Sequence, residues 1–191
     1  MLEPLGGVLV LAWVTASQTP WAEIGYVRPK RWGRTAIVGI MFGCALKLLL
    51  KAIVMPILGA DPINPAYHYL VGNTRALPGI AFYILVAGGF DEETVFRGFA
   101  FERLGKLLGT RVPAKAAIVL LTSAWFALVH YPDQGLAGVE QAAMTGLAFG
   151  TIFAMTGRIW IVMIAHAAFD LMAVAIIYGN LESTIAHLAF R

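Results

Sequence analysis

Two adjacent carboxylates and an arginine stand in the otherwise apolar segment 92–97, which reads Glu-Glu-Thr-Val-Phe-Arg. Charges in such a setting are costly to desolvate, so they usually face a protein interior or a water-filled cavity and serve a function. On a helix, Glu93 and Arg97 share one face, and we predict that they pair. Glu92 points about 100° away from Glu93 in a regular helix and lacks such a cation. We therefore expect Glu92 to be the chemically available carboxylate, a general base that activates water.

Two later apolar segments carry imidazoles. His130 follows Phe126 by one helical turn, so the aromatic ring can wall a pocket into which the imidazole reaches. His166 and Asp170 are also four residues apart, and a carboxylate beside an imidazole fixes its tautomer. Together with Glu92, these groups supply a water-activating pair and a second imidazole that stabilises an oxyanion. The set predicts hydrolysis of a peptide bond without a covalent intermediate.

Each cluster also has a structural interpretation. The segment 92–97 can be an ion network that only stabilises the fold, and a lone histidine such as His130 on an apolar helix is often a packing residue. Three polar clusters on three separate apolar segments favour one shared site instead. His68, in a loop, and His187, near the C-terminus, are expected to be incidental.

Other hydrolytic designs fit the sequence less well. The chain has neither an HExxH nor a GxSxG motif, and no histidine stands near Cys44 in sequence to activate it. A dyad of Asp91 and Asp170 would leave both histidines unexplained. The single cysteine also excludes a disulfide framework.

Composition places the chain in a membrane. It has 191 residues, of which 59% are hydrophobic and 13% charged, and this leaves too little polar surface to cover a soluble core. The expected partners are therefore the lipid bilayer and a membrane protein or peptide substrate. A net charge of +3 gives no reason to expect nucleic acid.

Apolar runs predict an all-α fold, a polytopic transmembrane bundle of about six segments with the active site inside it. The segments are 5–16, 36–58, 77–90 continuing through the carboxylates, 115–131, 136–155 and 159–178. The first is short for a complete crossing. Lysines and arginines gather in alternate loops, which places both termini outside and the carboxylates toward the cytoplasm.

Two residue pairs one turn apart need separate explanations. Gly146 and Gly150 form a GxxxG pattern, which predicts tight packing within the bundle rather than dimerisation. For Lys47 and Lys51, snorkelling toward the outer interface is the simpler interpretation. Pairing with an acidic group such as Glu140, or guarding a substrate entrance, is the alternative.

The order EExxxR, FxxxH and HxxxD on successive apolar segments resembles the CPBP (CAAX protease and bacteriocin-processing, Abi) family of intramembrane proteases. This family is similar to the type II CAAX prenyl endopeptidases. The resemblance covers the core 77–178, which leaves 1–76 as N-terminal membrane segments with an outer loop and 179–191 as a C-terminal tail.

The resemblance implies an endopeptidase of membrane-associated or lipidated substrates, with a cavity open to the cytosol of a prokaryotic cell membrane. The implied roles are water activation by Glu92 and His130 and oxyanion stabilisation by His166 and Asp170, supported by Glu93, Arg97 and Phe126. The family has been described both as metalloproteases and as glutamate-dependent proteases. Glu92, His130 and His166 would make a Zn²⁺ site with an open water position, so metal dependence stays open.

One position departs from the prenyl-processing enzymes, which have asparagine where this chain has Asp170. An ionised carboxylate cannot donate to an oxyanion. Asp170 must therefore be protonated, orient His166 or bind a metal.

Two other functions remain open. A catalytically silent peptide-binding or immunity protein would use the same cavity without turnover. A proton-coupled transporter would use the same charges as relay sites, but the chain is short and shows no inverted repeat.

Overall fold

The computed structural model describes residues 5–190, and that range is helical without a strand. The helices are α1 (Gly6–Ala16), α2 (Trp32–Ile57), α3 (77–108), α4 (Val112–Val129), α5 (Tyr131–Thr156), α6 (Ile159–Tyr178) and α7 (Glu182–Ala186). A short 3₁₀ turn, His68–Leu70, lies in the loop between α2 and α3. The prediction of an all-α membrane bundle is confirmed.

Helices α2, α4 and α6 are long and apolar enough to cross a membrane. Helix α1 is apolar but has only 11 residues, fewer than the roughly 17 that a crossing takes. All six predicted segments are helical, and the number of crossings stays a prediction. Gly135 has a φ of +61° and kinks the start of α5, so the regular apolar run begins just after it.

The carboxylate pair lies at an irregular part of α3. This helix is assembled from Leu77–Tyr83, Ile84–Glu92, Thr94–Phe99 and Ala100–Leu108, of which the middle two are π-helical. Glu93 joins the two π-helical pieces, and such wide turns are frequent at functional sites. The angle of about 100° between neighbouring residues of a regular α-helix therefore does not apply here.

Glycines let α2 approach α6 closely. A Cβ added at Gly43 would lie 2.1 Å from the carbonyl oxygen of Ala165, and one added at Gly39 would lie 2.9 Å from Ile164 Cγ2. The pattern Gly39-xxx-Gly43 is the small-residue spacing typical of packed membrane helices. Helix α6, which carries His166, is held against α2 in this way.

The predicted GxxxG of α5 packs inside the bundle. A Cβ at Gly146 would lie 3.0 Å from Ser123 Cβ, and one at Gly150 would lie 3.4 Å from Val119 Cγ1. Both contacts are with α4. This confirms the packing interpretation and fixes the helix that carries His130 against α5.

The N-terminal part of the chain is tied to the same core. The backbone N–H of Gly7 donates to Asp91 Oδ1 at 2.5 Å, which attaches α1 to α3. The hydroxyl of Tyr26 donates to Thr94 Oγ1 at 2.7 Å, since Thr94 itself donates to a backbone carbonyl. The backbone N–H of Ile159, the first residue of α6, donates to the carbonyl of Gly25 at 2.9 Å.

The α2–α6 contact predicts a strong effect of a single methyl group. Gly43→Ala should lower the free energy of unfolding by about 1–3 kcal/mol, because the methyl group meets a backbone oxygen that cannot move aside. Thermal or SDS-induced unfolding in detergent measures the change. Gly33→Ala on the same helix is the control, because nothing lies within 4 Å of the added Cβ. Equal stability of the two variants would contradict the close approach.

Candidate active site

Glu93 binds a cation and an imidazole at the centre of the bundle. Its Oε1 lies 2.8 Å from Arg97 Nη1 and 2.7 Å from His166 Nδ1. Glu93 is 0% exposed and Arg97 1%. The Arg97 guanidinium also stacks on two rings, 4.6 Å from the centre of Phe126 and 5.8 Å from that of Phe149. The pairing that the spacing predicts is present, and the bond to His166 is an addition to it.

The bond to Glu93 sets the orientation of His166. An ionised carboxylate only accepts hydrogen bonds, so Nδ1 of His166 carries a hydrogen and donates it. The other nitrogen, Nε2, lies 3.6 Å from Glu92 Oε2 and 3.5 Å from Asp170 Oδ2. The ring is therefore oriented by Glu93, and the expectation that Asp170 fixes its tautomer is wrong.

Glu92 and Asp170 line a cavity of about 280 Å³ inside the bundle. Their side chains are 23% and 32% exposed, in contrast to the sealed Glu93. Between residues 5 and 190, no lysine or arginine forms an ion pair with Glu92. As the sequence predicts, the first carboxylate of the pair is available and the second is occupied.

His130 reaches the same cavity from the end of α4. Its Nδ1 lies 2.7 Å from the carbonyl oxygen of Phe126. Because a carbonyl only accepts, Nδ1 carries the hydrogen and Nε2 is left as an acceptor. The Phe126 ring packs beside both imidazoles, 4.6 Å from the His130 ring and 5.9 Å from the His166 ring, and lines the cavity.

The structure thus brings all four predicted catalytic side chains to one cavity: Glu92, His130, His166 and Asp170. Asp91 is bound to α1, so a dyad with Asp170 does not form. His187 lies at the surface, away from this cavity, where its ring hydrogen-bonds to the carbonyl of Ser183. His68 is half exposed and lies 3.9 Å from Glu182.

Lys47 does not snorkel, which corrects the simpler sequence interpretation. Its side chain is buried and donates to Gln141 Oε1 at 2.8 Å, so its partner is the neighbour of Glu140 rather than Glu140 itself. The sequence does not show which face of α2 points into the bundle. That orientation decides whether Lys47 snorkels to the interface or is buried beside a polar partner.

Two further residues at the cavity were missed. Glu182 is buried, accepts from the N–H of Asn64 at 3.0 Å and lies 3.6 Å from Lys51 Nζ. Burial, with the charge of Asp170, raises the pKa of Tyr67 to about 12, which keeps its hydroxyl neutral. Both belong to polar loops or the tail, where no sequence pattern distinguishes them.

The predicted Zn²⁺ set does not fit the side chains as they are arranged. Among residues 5–190, no three His, Cys, Asp or Glu side chains are placed so that they could hold a metal ion. Glu92 Oε2 and His166 Nε2 lie 3.6 Å apart, but no third ligand in the described part of the chain completes a set with them. Zinc binding by Glu92, His130 and His166 stays a prediction, and no step below is routed through a metal.

The fold and the site together define the class of protein, which is an all-helical membrane protein with carboxylates and imidazoles in an internal cavity. The sequence model described as "Type II CAAX prenyl endopeptidase Rce1-like" matches residues 74–172, just over half of the chain and including all four cavity residues. The chain belongs to this Rce1-like family of CAAX proteases, as its motifs predict.

One curated relative supports the same family. The chain is 24% identical over 132 residues to the membrane-embedded CAAX protease MroQ of Staphylococcus aureus (strain USA300). The match covers 69% of this chain and 52% of MroQ, so the chain spans about half the length of that relative. No solved structure matches.

The buried network predicts that Glu93 contributes far more to stability than an exposed glutamate such as Glu23. Glu93→Gln should lower the free energy of unfolding by about 3–5 kcal/mol, because it leaves the charge of Arg97 buried and unpaired. Unfolding by SDS in detergent measures this loss. Glu23→Gln, which breaks the exposed pair with Lys106, should change stability little. A Glu93→Gln protein as stable as that control would contradict the proposed network.

Proposed function

We propose that the protein is an intramembrane endopeptidase that hydrolyses a peptide bond in a membrane-associated or lipidated protein or peptide. The observation that carries the proposal is Glu92, which pairs with no lysine or arginine in the described part of the chain and faces the oriented ring of His166 in a cavity. Family membership supports the same reaction class. The basic loops predict that the carboxylates approach the cytoplasm, whereas Asp61 and Asn64, which line the cavity, follow the other end of α2 from the basic residues 28–34. The side of a prokaryotic cell membrane to which the cavity opens therefore stays a prediction.

In this proposal Glu92 and His130 activate the water molecule. In the proposed step, Glu92 takes one proton from a water molecule while the water oxygen attacks the substrate carbonyl carbon. The free Nε2 of His130 accepts a hydrogen bond from the second hydrogen and orients the water. The product of this step is a tetrahedral intermediate with a negatively charged oxygen.

Stabilisation of that oxygen falls to His166. Its Nδ1 hydrogen is committed to Glu93, so Nε2 can donate only when the ring is an imidazolium. Such a charged donor, held in place before the reaction, stabilises the developing oxyanion. The proton on Glu92 then moves to the leaving nitrogen, the C–N bond breaks, and a carboxylic acid and an amine are released.

Asp170 has a different role from an oxyanion donor in this scheme. Its Oδ2 lies 3.5 Å from His166 Nε2, so its negative charge stabilises the imidazolium before substrate binds. Glu93 already orients the ring, which removes that role from Asp170. The asparagine of the prenyl-processing enzymes would donate a hydrogen bond to the oxyanion directly. In the proposed scheme Asp170 stabilises the oxyanion indirectly, through the imidazolium of His166.

Loss of the general base gives the direct test. Membranes from cells that express wild type or Glu92→Gln at matched levels are compared by terminomics. Wild type should create peptide termini that the variant lacks, and turnover of the identified substrate should fall by about 10²–10⁴-fold.

Glu23→Gln is the matched control, because it removes an exposed carboxylate outside the cavity and should retain every wild-type terminus. Identical termini in wild type and a folded, abundant Glu92→Gln would contradict the peptidase and favour the silent binding protein.

Gly88 provides a second test, aimed at the position of Asp170. A Cβ at Gly88 would lie 2.9 Å from Asp170 Oδ2 and 3.8 Å from His166 Nε2. Alanine favours a helix by about 1 kcal/mol over glycine, so Gly88→Ala should keep or raise stability. Turnover should nevertheless fall by about 10–100-fold, because the carboxylate must move.

The control for that variant is Gly79→Ala on the same helix, where nothing lies within 4 Å of the added Cβ. Turnover of each variant is measured beside its thermal unfolding. Full turnover of Gly88→Ala would show that the position of Asp170 does not matter to the reaction.

A further inference from the structure

Lys47 extends from α2 into the cavity that holds Glu92 and His166. Its side chain is only 8% exposed. The ammonium donates to Gln141 Oε1 at 2.8 Å and lies 4.8 Å from the centre of the Phe169 ring. Both of these partners are neutral.

A buried ammonium whose direct partners are neutral is costly, because burial removes its hydration and a neutral partner does not cancel its charge. Within residues 5–190, no carboxylate lies within 4 Å of Lys47 Nζ. Asp170 and Glu182 act on it only at longer range. An ammonium has three hydrogens to donate, and Gln141 takes one of them.

Lys51, one turn further along α2, shows how this fold satisfies a structural lysine. Its ammonium lies 3.6 Å from Glu182 Oε1 and also donates to the carbonyl of Pro62. It therefore has a carboxylate of its own chain as partner. Lys47 also lines the cavity but has no such partner among residues 5–190, so its charge is available to bind an external anion.

We propose that Lys47 is a specificity-determining residue that binds a carboxylate of the substrate, either the C-terminal carboxylate or an acidic side chain. This inference rests on the proposed peptidase function. Lys47 lies outside residues 74–172, which match the family model, so that match carries no information on its role. The carboxylate would lie toward α2 and α5, while the scissile bond faces Glu92 on α3 and His166 on α6.

The geometry also explains why the site would discriminate against uncharged peptides. A substrate without a carboxylate would leave the ammonium buried and only partly satisfied. A substrate with one would supply the missing negative charge and accept the remaining hydrogens. The affinity difference expected for such a charge-assisted hydrogen bond is about 10–100-fold.

The test measures binding without turnover, in the full chain carrying Glu92→Gln and placed in lipid nanodiscs. The probes are N-dodecanoyl-trialanine as the free acid, its C-terminal amide, and the same amide with glutamate as the middle residue. At least one carboxylate probe should bind about 10–100-fold more tightly than the uncharged amide. Preference for the free acid identifies a C-terminal carboxylate, and preference for the glutamate probe identifies a side chain.

Lys47→Met should then abolish the preference by weakening the binding of the carboxylate probes, without weakening that of the uncharged amide. Lys115→Met, which removes an exposed lysine outside the cavity, should preserve it. Equal or unmeasurable affinities for all three probes would overturn the proposal, even if Lys47→Met failed to fold. A preference that survived in Lys47→Met would overturn it as well. Because Glu92→Gln lacks the general base, these results do not depend on whether proteolysis is found.

Discussion

A guanidinium inside an apolar bundle must be neutralised, and the neutralisation of Arg97 by Glu93 is the constraint on which the site depends. The same carboxylate oxygen binds Nδ1 of His166, so one buried group fixes a cation of α3 and an imidazole of α6. The stacking of Phe126 and Phe149 on the guanidinium seals the network. Glu92, the adjacent carboxylate, is left outside it and faces the cavity.

Close helix contacts make this network possible. Gly43 brings the backbone of α2 against that of α6. Gly89 likewise lets α3 approach α6, since a Cβ added there would lie 3.2 Å from Ala167 Cβ. Gly88 leaves the space that the carboxylate of Asp170 occupies. Small residues in a membrane bundle therefore position the charged groups as well as pack the helices.

The sequence predicted the features that are local. Apolar runs identified the helices, and a separation of four residues identified the pairing of Glu93 with Arg97. The bond between Glu93 and His166 could not be predicted, because it joins residues 73 positions apart through the packing of α3 on α6. The inward direction of Lys47 was missed for a related reason, since an apolar helix gives no pattern that separates its buried face from its lipid face. The catalytic roles themselves, and any metal, remain predictions from sequence and geometry.

The charge of Arg97 is coupled to Glu93 and not to its neighbour Glu92. Two double-mutant cycles on unfolding free energy, one combining Arg97→Gln with Glu93→Gln and one combining it with Glu92→Gln, measure this asymmetry directly. We predict a coupling of about 2–3 kcal/mol in the first cycle and about 0.5 kcal/mol or less in the second. Equal couplings in the two cycles would contradict the account.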